Sequence, residues 1–195
     1  MSRIRARSAA AVAALGIAAV PVGIAQAGDD GHRHRHGGER QHHPAPAPAP
    51  VDAQAFVVQA TQSNTFEVVS SELALERGKH PAVRRIAEHL IRDHTLAQQQ
   101  LAAIAAEVGL KVPEPSLNPE QQAIVAELRG LWGKAFDAAY LQAQVVAHEQ
   151  AIALFVGFAS NDANPRPLRL LAITTLPILG QHLGEVNAAL AHGEH

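Results

Sequence analysis

The chain has 195 residues, contains no cysteine and carries a formal net charge of −2 at pH 7. The lack of cysteine excludes a disulfide framework, so the stability of the fold must come from packing. The small acidic excess argues against nucleic acid as a partner, because phosphate binding needs a basic face.

Residues 1–27 are predicted to be a secretory signal peptide. Three arginines among the first seven residues precede an apolar run over residues 9–25, and Ala25-Gln26-Ala27 offers small residues at the two positions that a signal peptidase reads. A retained membrane anchor is the alternative, but Pro21 interrupts the apolar run and a polar stretch follows it at once. We therefore expect a periplasmic or secreted, soluble protein with no membrane span in the mature chain.

Residues 28–51 are predicted to be a disordered linker. They join a histidine-rich tract to a Pro-Ala repeat and contain almost no side chain that could enter a core. Flexible histidine-rich tracts capture divalent metal, whereas a solvated, pH-sensitive tail is the plainer interpretation. The histidines of this tract are His32, His34, His36, His42 and His43.

From residue 52 onward the composition shifts to Ala, Leu, Val and Gln, and no strand pattern competes with a helical one. Residues 52–192 are long enough for one four-helix core. Prolines, glycines and capping residues predict helices over residues 53–77, 81–109, 119–160 with a break at 130–133, and 167–191. The predicted fold is all-α: a ferritin-like up-down four-helix bundle with a long crossover between the second and third helices.

Three of the predicted helices carry one histidine each within their apolar stripe. These residues, His94, His148 and His182, stand where helical spacing would place a buried aliphatic side chain. The weaker stripe of the first helix contains a carboxylate, Glu67, with small hydroxyl residues one turn away on either side. At about 1.5 Å of rise per residue, all four side chains reach similar heights in the bundle. We therefore expect them to meet near its middle.

Buried imidazoles need partners, and two arrangements would supply them. A metal ion is one, because neutral imidazoles and a carboxylate suit zinc, iron, manganese or copper. The other is a hydrogen-bond network among the histidines, Glu67, Tyr140, Gln144 and water. Protonation of such a network near pH 6 would place like charges in the core and loosen it.

Four segments of the sequence resemble an exported bacterial family known as domain of unknown function 4142. The segments are FEVVSSELAL, HPAVRRIAEHLIRDHTLA, AFDAAYLQAQVVAHEQAIALF and TLPILGQHL, and the resemblance extends over about residues 55–190. It implies a ferritin-like four-helix bundle and export, but no established reaction. The family pattern matches Glu67, Asp93, His94, Asp137, Tyr140, His148, Pro177 and His182.

The pattern departs from that of the di-iron relatives of ferritin, which carry a Glu-x-x-His motif on two helices. None of the predicted helices of this chain carries such a motif, so a single-metal or metal-free site fits better than ferroxidase chemistry. There is also no cysteine nucleophile, no G-x-S-x-G and no phosphate-binding loop, which argues against an enzyme.

We therefore hypothesise a protein that binds one transition-metal ion and has a metal-handling or stress-protective role. His94, His148 and His182 are the predicted ligands, with Glu67 as a fourth ligand or as an acceptor behind one of the rings. The alternative is a non-enzymatic envelope module whose histidines form a structural or pH-responsive network. Its helices would bind a partner protein or another copy of the chain.

Overall fold

The structure is a computed structural model that describes residues 51–193, and the predicted signal peptide and nearly all of the predicted linker lie outside these residues. Within the described part of the chain the secondary structure is entirely helical. The helices are α1 (Ala53–Arg77), α2 (Pro81–Glu107), α3 (Pro119–Arg129), α4 (Gly133–Ala159) and α5 (Arg166–Gly193).

Local sequence explains where the first three helices begin. The Asp52 side chain accepts a hydrogen bond from the backbone N–H of Ala55 at 2.7 Å and so caps α1. A proline opens α2, where its missing N–H costs no helical hydrogen bond. Asn118 and Gln121 form a reciprocal capping box at the start of α3.

The helices are arranged as two antiparallel hairpins, α1–α2 and α4–α5, with α1 also packing against α4 and α2 against α5. The turn of the first hairpin is fixed to the beginning of α4, because the Asp137 carboxylate accepts the backbone N–H groups of Lys79 at 3.0 Å and His80 at 2.9 Å. Glycine is needed in this turn, since a Cβ on Gly78 would lie 2.5 Å from the carbonyl oxygen of Ala74. Helices α2 and α4 therefore begin at the same end of the bundle and run parallel.

Residues 108–132 form the long crossover between α2 and α4 and include α3, which packs on α1 and α4. The predicted all-α bundle with a crossover is therefore confirmed. The broken third helix of the prediction corresponds to α3 and α4, which are separated at residues 130–132. Helix α4 begins at Gly133, whose φ of 59° is one that glycine adopts readily. Among the described residues, no helix has the length and apolar character needed to span a membrane.

Two apolar clusters fill the ends of the bundle. The aromatic cluster contains Phe56, Phe155, Phe158, Leu101 and Leu168 among others. The turn cluster, at the end where α2 and α4 begin, contains Leu90, Phe136, Tyr140, Leu141 and Val186 among others. On each of α1, α2, α4 and α5, buried polar residues lie between the segments that enter these clusters. The polar layer across the middle of the bundle holds the candidate site.

Candidate metal centre

Three buried histidine rings meet in the polar layer. The ring centroids of His94 and His148 are 5.8 Å apart, those of His94 and His182 are 5.4 Å apart, and those of His148 and His182 are 5.5 Å apart. One ring nitrogen from each residue lies within 4.8 Å of one from each of the other two. These residues belong to α2, α4 and α5, so three separate helices build what we call the histidine triad.

One nitrogen of each ring has a fixed hydrogen-bond acceptor. His94 Nδ1 lies 3.0 Å from Asn64 Oδ1, and His148 Nδ1 lies 2.9 Å from the carbonyl oxygen of Gln144. His182 Nε2 lies 3.1 Å from Asp93 Oδ2. Because a carbonyl or carboxylate oxygen can only accept, each of these nitrogens carries the proton of the neutral ring.

The remaining nitrogen of each ring is buried and has no hydrogen-bond partner among the described residues. These atoms are His94 Nε2, His148 Nε2 and His182 Nδ1. Since the proton of each neutral ring is on the other nitrogen, all three atoms present a lone pair. The triad is thus a group of three acceptors with no donor between them. Buried polar atoms are rarely left without a partner, so this group needs an explanation.

Burial keeps the triad neutral. It lowers the pKa of His148 to about 4, against a smaller opposing effect from the hydrogen bond to Gln144. It also holds the pKa of His94 well below its ordinary value, and the neighbouring rings of His148 and His182 add to that effect. The pKa of His182 is lowered by burial too, although Asp93 opposes the shift. Neutral imidazole is the form that binds metal ions.

Glu67 lies behind the ring of His148, and burial raises the pKa of its carboxyl group to about 8. Its Oε1 is 3.7 Å from His148 Nδ1, the nitrogen already bonded to the Gln144 carbonyl. Its Oε2 has no partner among the described residues. Of the two predicted roles for Glu67, this position suits an acceptor behind a ring better than a fourth ligand. Both roles remain predictions.

The triad borders a small cleft of about 110 Å³, lined mainly by apolar side chains together with His94, His182 and Asp93. Leu101 and Phe155 of the aromatic cluster form part of the lining. The cleft gives a small ion or molecule room beside two of the three rings while keeping the surroundings apolar.

The family model for Domain of unknown function (DUF4142) matches residues 38–189. The chain belongs to this family. The match confirms the resemblance of the four sequence segments and covers every member of the triad. None of the curated proteins compared with this DUF4142 chain matches it.

Three solved structures share the fold of this DUF4142 protein. A DUF305 fragment from Deinococcus radiodurans has a TM-score of 0.63 and 20% sequence identity, and the alignment covers 73% of this chain and 99% of that one. A DUF305 protein from Streptomyces coelicolor has a TM-score of 0.60 and 17% identity, with 75% and 96% covered. CopM in its Cu(II)-bound form has a TM-score of 0.60 and 15% identity, with 71% and 95% covered. At these identities the likeness shows a shared helical fold.

Sequence reasoning missed two residues at the site. Asn64 fixes the ring of His94, and its amide in turn donates to Gln98 Oε1 at 3.1 Å. His89 lies one turn before Asp93 on α2 and contacts it at 3.1 Å. The spacing of His89 and Asp93 was the available signal, because residues four apart on a helix face each other. No comparable signal marked Asn64.

Proposed function

We propose that this DUF4142 protein binds a single transition-metal ion with the histidine triad. His94 Nε2, His148 Nε2 and His182 Nδ1 are the proposed ligand atoms, and Glu67 is proposed to support the site from behind His148. The role that follows is metal handling or protection in the compartment to which the predicted signal peptide would export the chain. Catalytic turnover is not part of the proposal.

The observation that carries the proposal is the set of three buried lone pairs. Metal-binding histidines almost always donate their second N–H to a carboxylate, a carbonyl or water, which fixes the ring and its tautomer. Asn64, the Gln144 carbonyl and Asp93 supply such acceptors to the three rings. The donor set and its supporting acceptors are therefore those expected of an imidazole metal site.

A metal-free network explains the same atoms less well. The three free nitrogens are all acceptors, so they cannot bond to one another. A single water molecule has two protons and cannot satisfy three acceptors at once. An extra proton on one ring would supply a donor, but burial lowers the pKa of each of the three imidazoles. A cation satisfies all three lone pairs together.

The choice among zinc, iron, manganese and copper follows from the donor atoms. Imidazole suits zinc, copper and iron, whereas manganese prefers oxygen ligands, and divalent affinity generally peaks at copper. The fold neighbour CopM is described in a Cu(II)-bound form, which makes copper the first ion to test. Three protein ligands would leave one coordination position open, and the small cleft beside His94 and His182 offers room for a further ligand.

The test is a comparison of metal binding with and without one ligand. The parent is the full chain with the five histidines of the histidine-rich tract replaced by serine, so that the tract binds no metal. The variant carries one further substitution in the triad. We expect the parent to retain one equivalent of copper or zinc through equilibrium dialysis. His148→Leu fills the space of the ring without a ligand atom, and we expect it to retain none while keeping its helical circular dichroism.

Thermal unfolding provides an independent measurement. An ion at 100 times its dissociation constant stabilises the folded state by about 2.7 kcal/mol, so the melting temperature of the parent should rise and that of His148→Leu should not. His192→Ala is the control, because His192 is an exposed histidine of α5 outside the triad. A parent that retains no ion, and whose melting temperature ignores all four metals, would favour the pH-responsive network instead.

A further inference from the structure

A second group of ligand atoms lies between the triad and the surface of the bundle. It consists of His89, Asp93 and His182, which each offer one atom within 4.8 Å of the others. Asp93 Oδ2 is 3.1 Å from His89 Nε2 and 3.1 Å from His182 Nε2. The side chains of His89 and Asp93 are each 26% exposed, whereas that of His182 is 1% exposed. We call these three residues the outer cluster.

The outer cluster has the same supporting arrangement as the triad. His89 Nδ1 lies 3.1 Å from Glu185 Oε2, so its Nε2 is the nitrogen directed towards Asp93. Glu185 is itself held by the amide of Gln181, which donates to Oε1 at 2.9 Å. A carboxylate behind an imidazole is the usual support of a metal-binding histidine. Glu185 therefore fixes the ring of His89, and an ion bound between His89 Nε2 and Asp93 Oδ2 would take the place of the proton that joins these two atoms.

Solvent reaches the outer cluster through an open groove of about 650 Å³ between α2 and α5. His89, Glu185 and His192 line this groove. The triad, in contrast, is almost completely buried, since its rings are at most 4% exposed. An ion from solution meets the outer cluster before it can meet the triad from this side.

His182 belongs to both groups through different atoms. Its Nδ1 faces the triad and its Nε2 faces Asp93. A neutral imidazole has one lone pair on nitrogen, so His182 can bind an ion on one side at a time. The two groups are then alternative positions of one ion, separated by the width of a ring.

We propose that the outer cluster is the entry site through which a transition-metal ion reaches the triad. This inference rests on the proposed metal-binding function. While the ion is outside, His89 Nε2, Asp93 Oδ2 and His182 Nε2 hold it and the proton of His182 is on Nδ1. When the ion moves inward, His182 Nδ1 releases its proton to solvent through the small cleft and binds the ion, and Nε2 takes up a proton from solvent and donates it to Asp93. The ring keeps one proton in both states.

The first test measures how fast the triad loads. Cu²⁺ is mixed in a stopped-flow instrument with the full chain that lacks the five histidines of the tract, and with His89→Ala and His192→Ala variants of it. His89→Ala removes one of the three ligand atoms of the outer cluster and none of the triad. Loss of even a supporting residue lowers metal affinity by about 10–100-fold, so we expect His89→Ala to load about tenfold more slowly. Its final stoichiometry should remain one ion. His192 lines the same groove but is not part of the outer cluster, so the His192→Ala variant should load at the parent rate.

The second test confines the ion to the outer cluster. A His94→Leu, His148→Leu double variant keeps the outer cluster but removes two ligands of the triad. We expect it to bind one Cu²⁺ weakly, with two nitrogen ligands in its electron paramagnetic resonance spectrum, and to lose that ion when His89→Ala is added. Failure of the parent to bind one ion tightly would overturn the proposed function. Tight binding with a loading rate that His89→Ala leaves unchanged would overturn the entry site alone.

Discussion

The aromatic cluster and the polar layer are adjacent layers of one bundle, but the first buries apolar side chains and the second buries polar ones. In the aromatic cluster, the rings of Phe56 and Phe158 stack at 3.9 Å and Phe155 meets Phe56 edge to face at 5.0 Å. Dense apolar packing of this kind is the usual source of stability in a helical bundle. The side chains that make up this cluster are all apolar.

The polar layer buries imidazoles, a carboxyl group and amides in the same bundle. Several of their atoms have no partner among the described residues, including His94 Nε2, His148 Nε2 and Glu67 Oε2. Burying polar groups without partners costs free energy. The apolar clusters at the ends of the bundle therefore supply the stability, and the polar layer lowers it because three lone pairs are buried together without partners.

The largest effect that separates the two regions should come from Phe56→Ala. Removing a buried phenylalanine costs about 3–5 kcal/mol of unfolding free energy, and Phe56 is fully buried between Phe155 and Phe158. Urea unfolding of the metal-free protein measures this loss. We expect the folded fraction to bind copper with the parent affinity, because the triad lies in the adjacent layer. A parallel loss of copper affinity would show that the two regions are not separable.

The second effect is a pH dependence that arises in the polar layer. In the metal-free protein burial holds the pKa of His148 near 4, below its ordinary 6.5. The unfolded chain then takes up a proton more readily than the folded one, so stability falls as the pH drops from 6.5 towards 4. The lowered pKa values of His94 and His182 act in the same direction.

Glu67 acts in the opposite direction. Burial raises its pKa from 4.5 to about 8, so its contribution is complete below 4.5 and is lost as the pH rises towards 8. Together these groups place the maximum stability of the metal-free protein near pH 6.5. Glu67→Gln removes the loss at higher pH and should raise the unfolding free energy by about 3 kcal/mol at pH 7.

Urea unfolding in the presence of a chelator, from pH 4 to pH 9, measures both parts of this prediction. Phe56→Ala should shift the whole profile downward without moving its maximum, whereas Glu67→Gln should flatten the side above pH 6.5. Profiles of the parent and Glu67→Gln that run parallel from pH 5 to pH 8 would show that the carboxyl group ionises normally, and the prediction would be wrong.

The histidines could be placed from the sequence because their stripes repeat every three or four residues in long helices. That spacing does not decide between neighbouring positions at the edge of a stripe. Ile178 lies four residues before His182, where helical spacing predicts a buried side chain, but it is 46% exposed and Leu179 is buried instead. Both lie one turn before His182, and Leu179 also follows the seven-residue spacing of Ala172 and Val186, which face the core.

The first helix was harder to predict because two neighbours cover it. Ser63 is one of the two hydroxyl residues that spacing places in the stripe with Glu67, yet the structure buries Asn64 and leaves Ser63 partly exposed. Asn64 faces α2, where Gln98 binds its amide, while Ser71 faces α4 and bonds to Tyr140 at 2.8 Å. A helix packed on two sides buries a wide face that a single stripe does not describe. The acceptors that fix each ring depend on such contacts between helices, and spacing along one helix does not reveal them.

The smallest of these effects should come from Asn64, which touches the site only through the ring of His94. Loss of the acceptor behind a metal-binding histidine typically lowers metal affinity by about 10–100-fold, so Asn64→Ala should weaken copper binding by that factor and leave the stoichiometry at one ion. Gln98→Ala is the matched control, since Gln98 contacts Asn64 and Thr61 but no histidine of the triad, and its effect should be smaller. Competition with a chelator of known affinity measures both variants. If Asn64→Ala binds copper as tightly as the parent, the tautomer of His94 does not depend on this contact, and the polar layer is less specialised than its geometry implies.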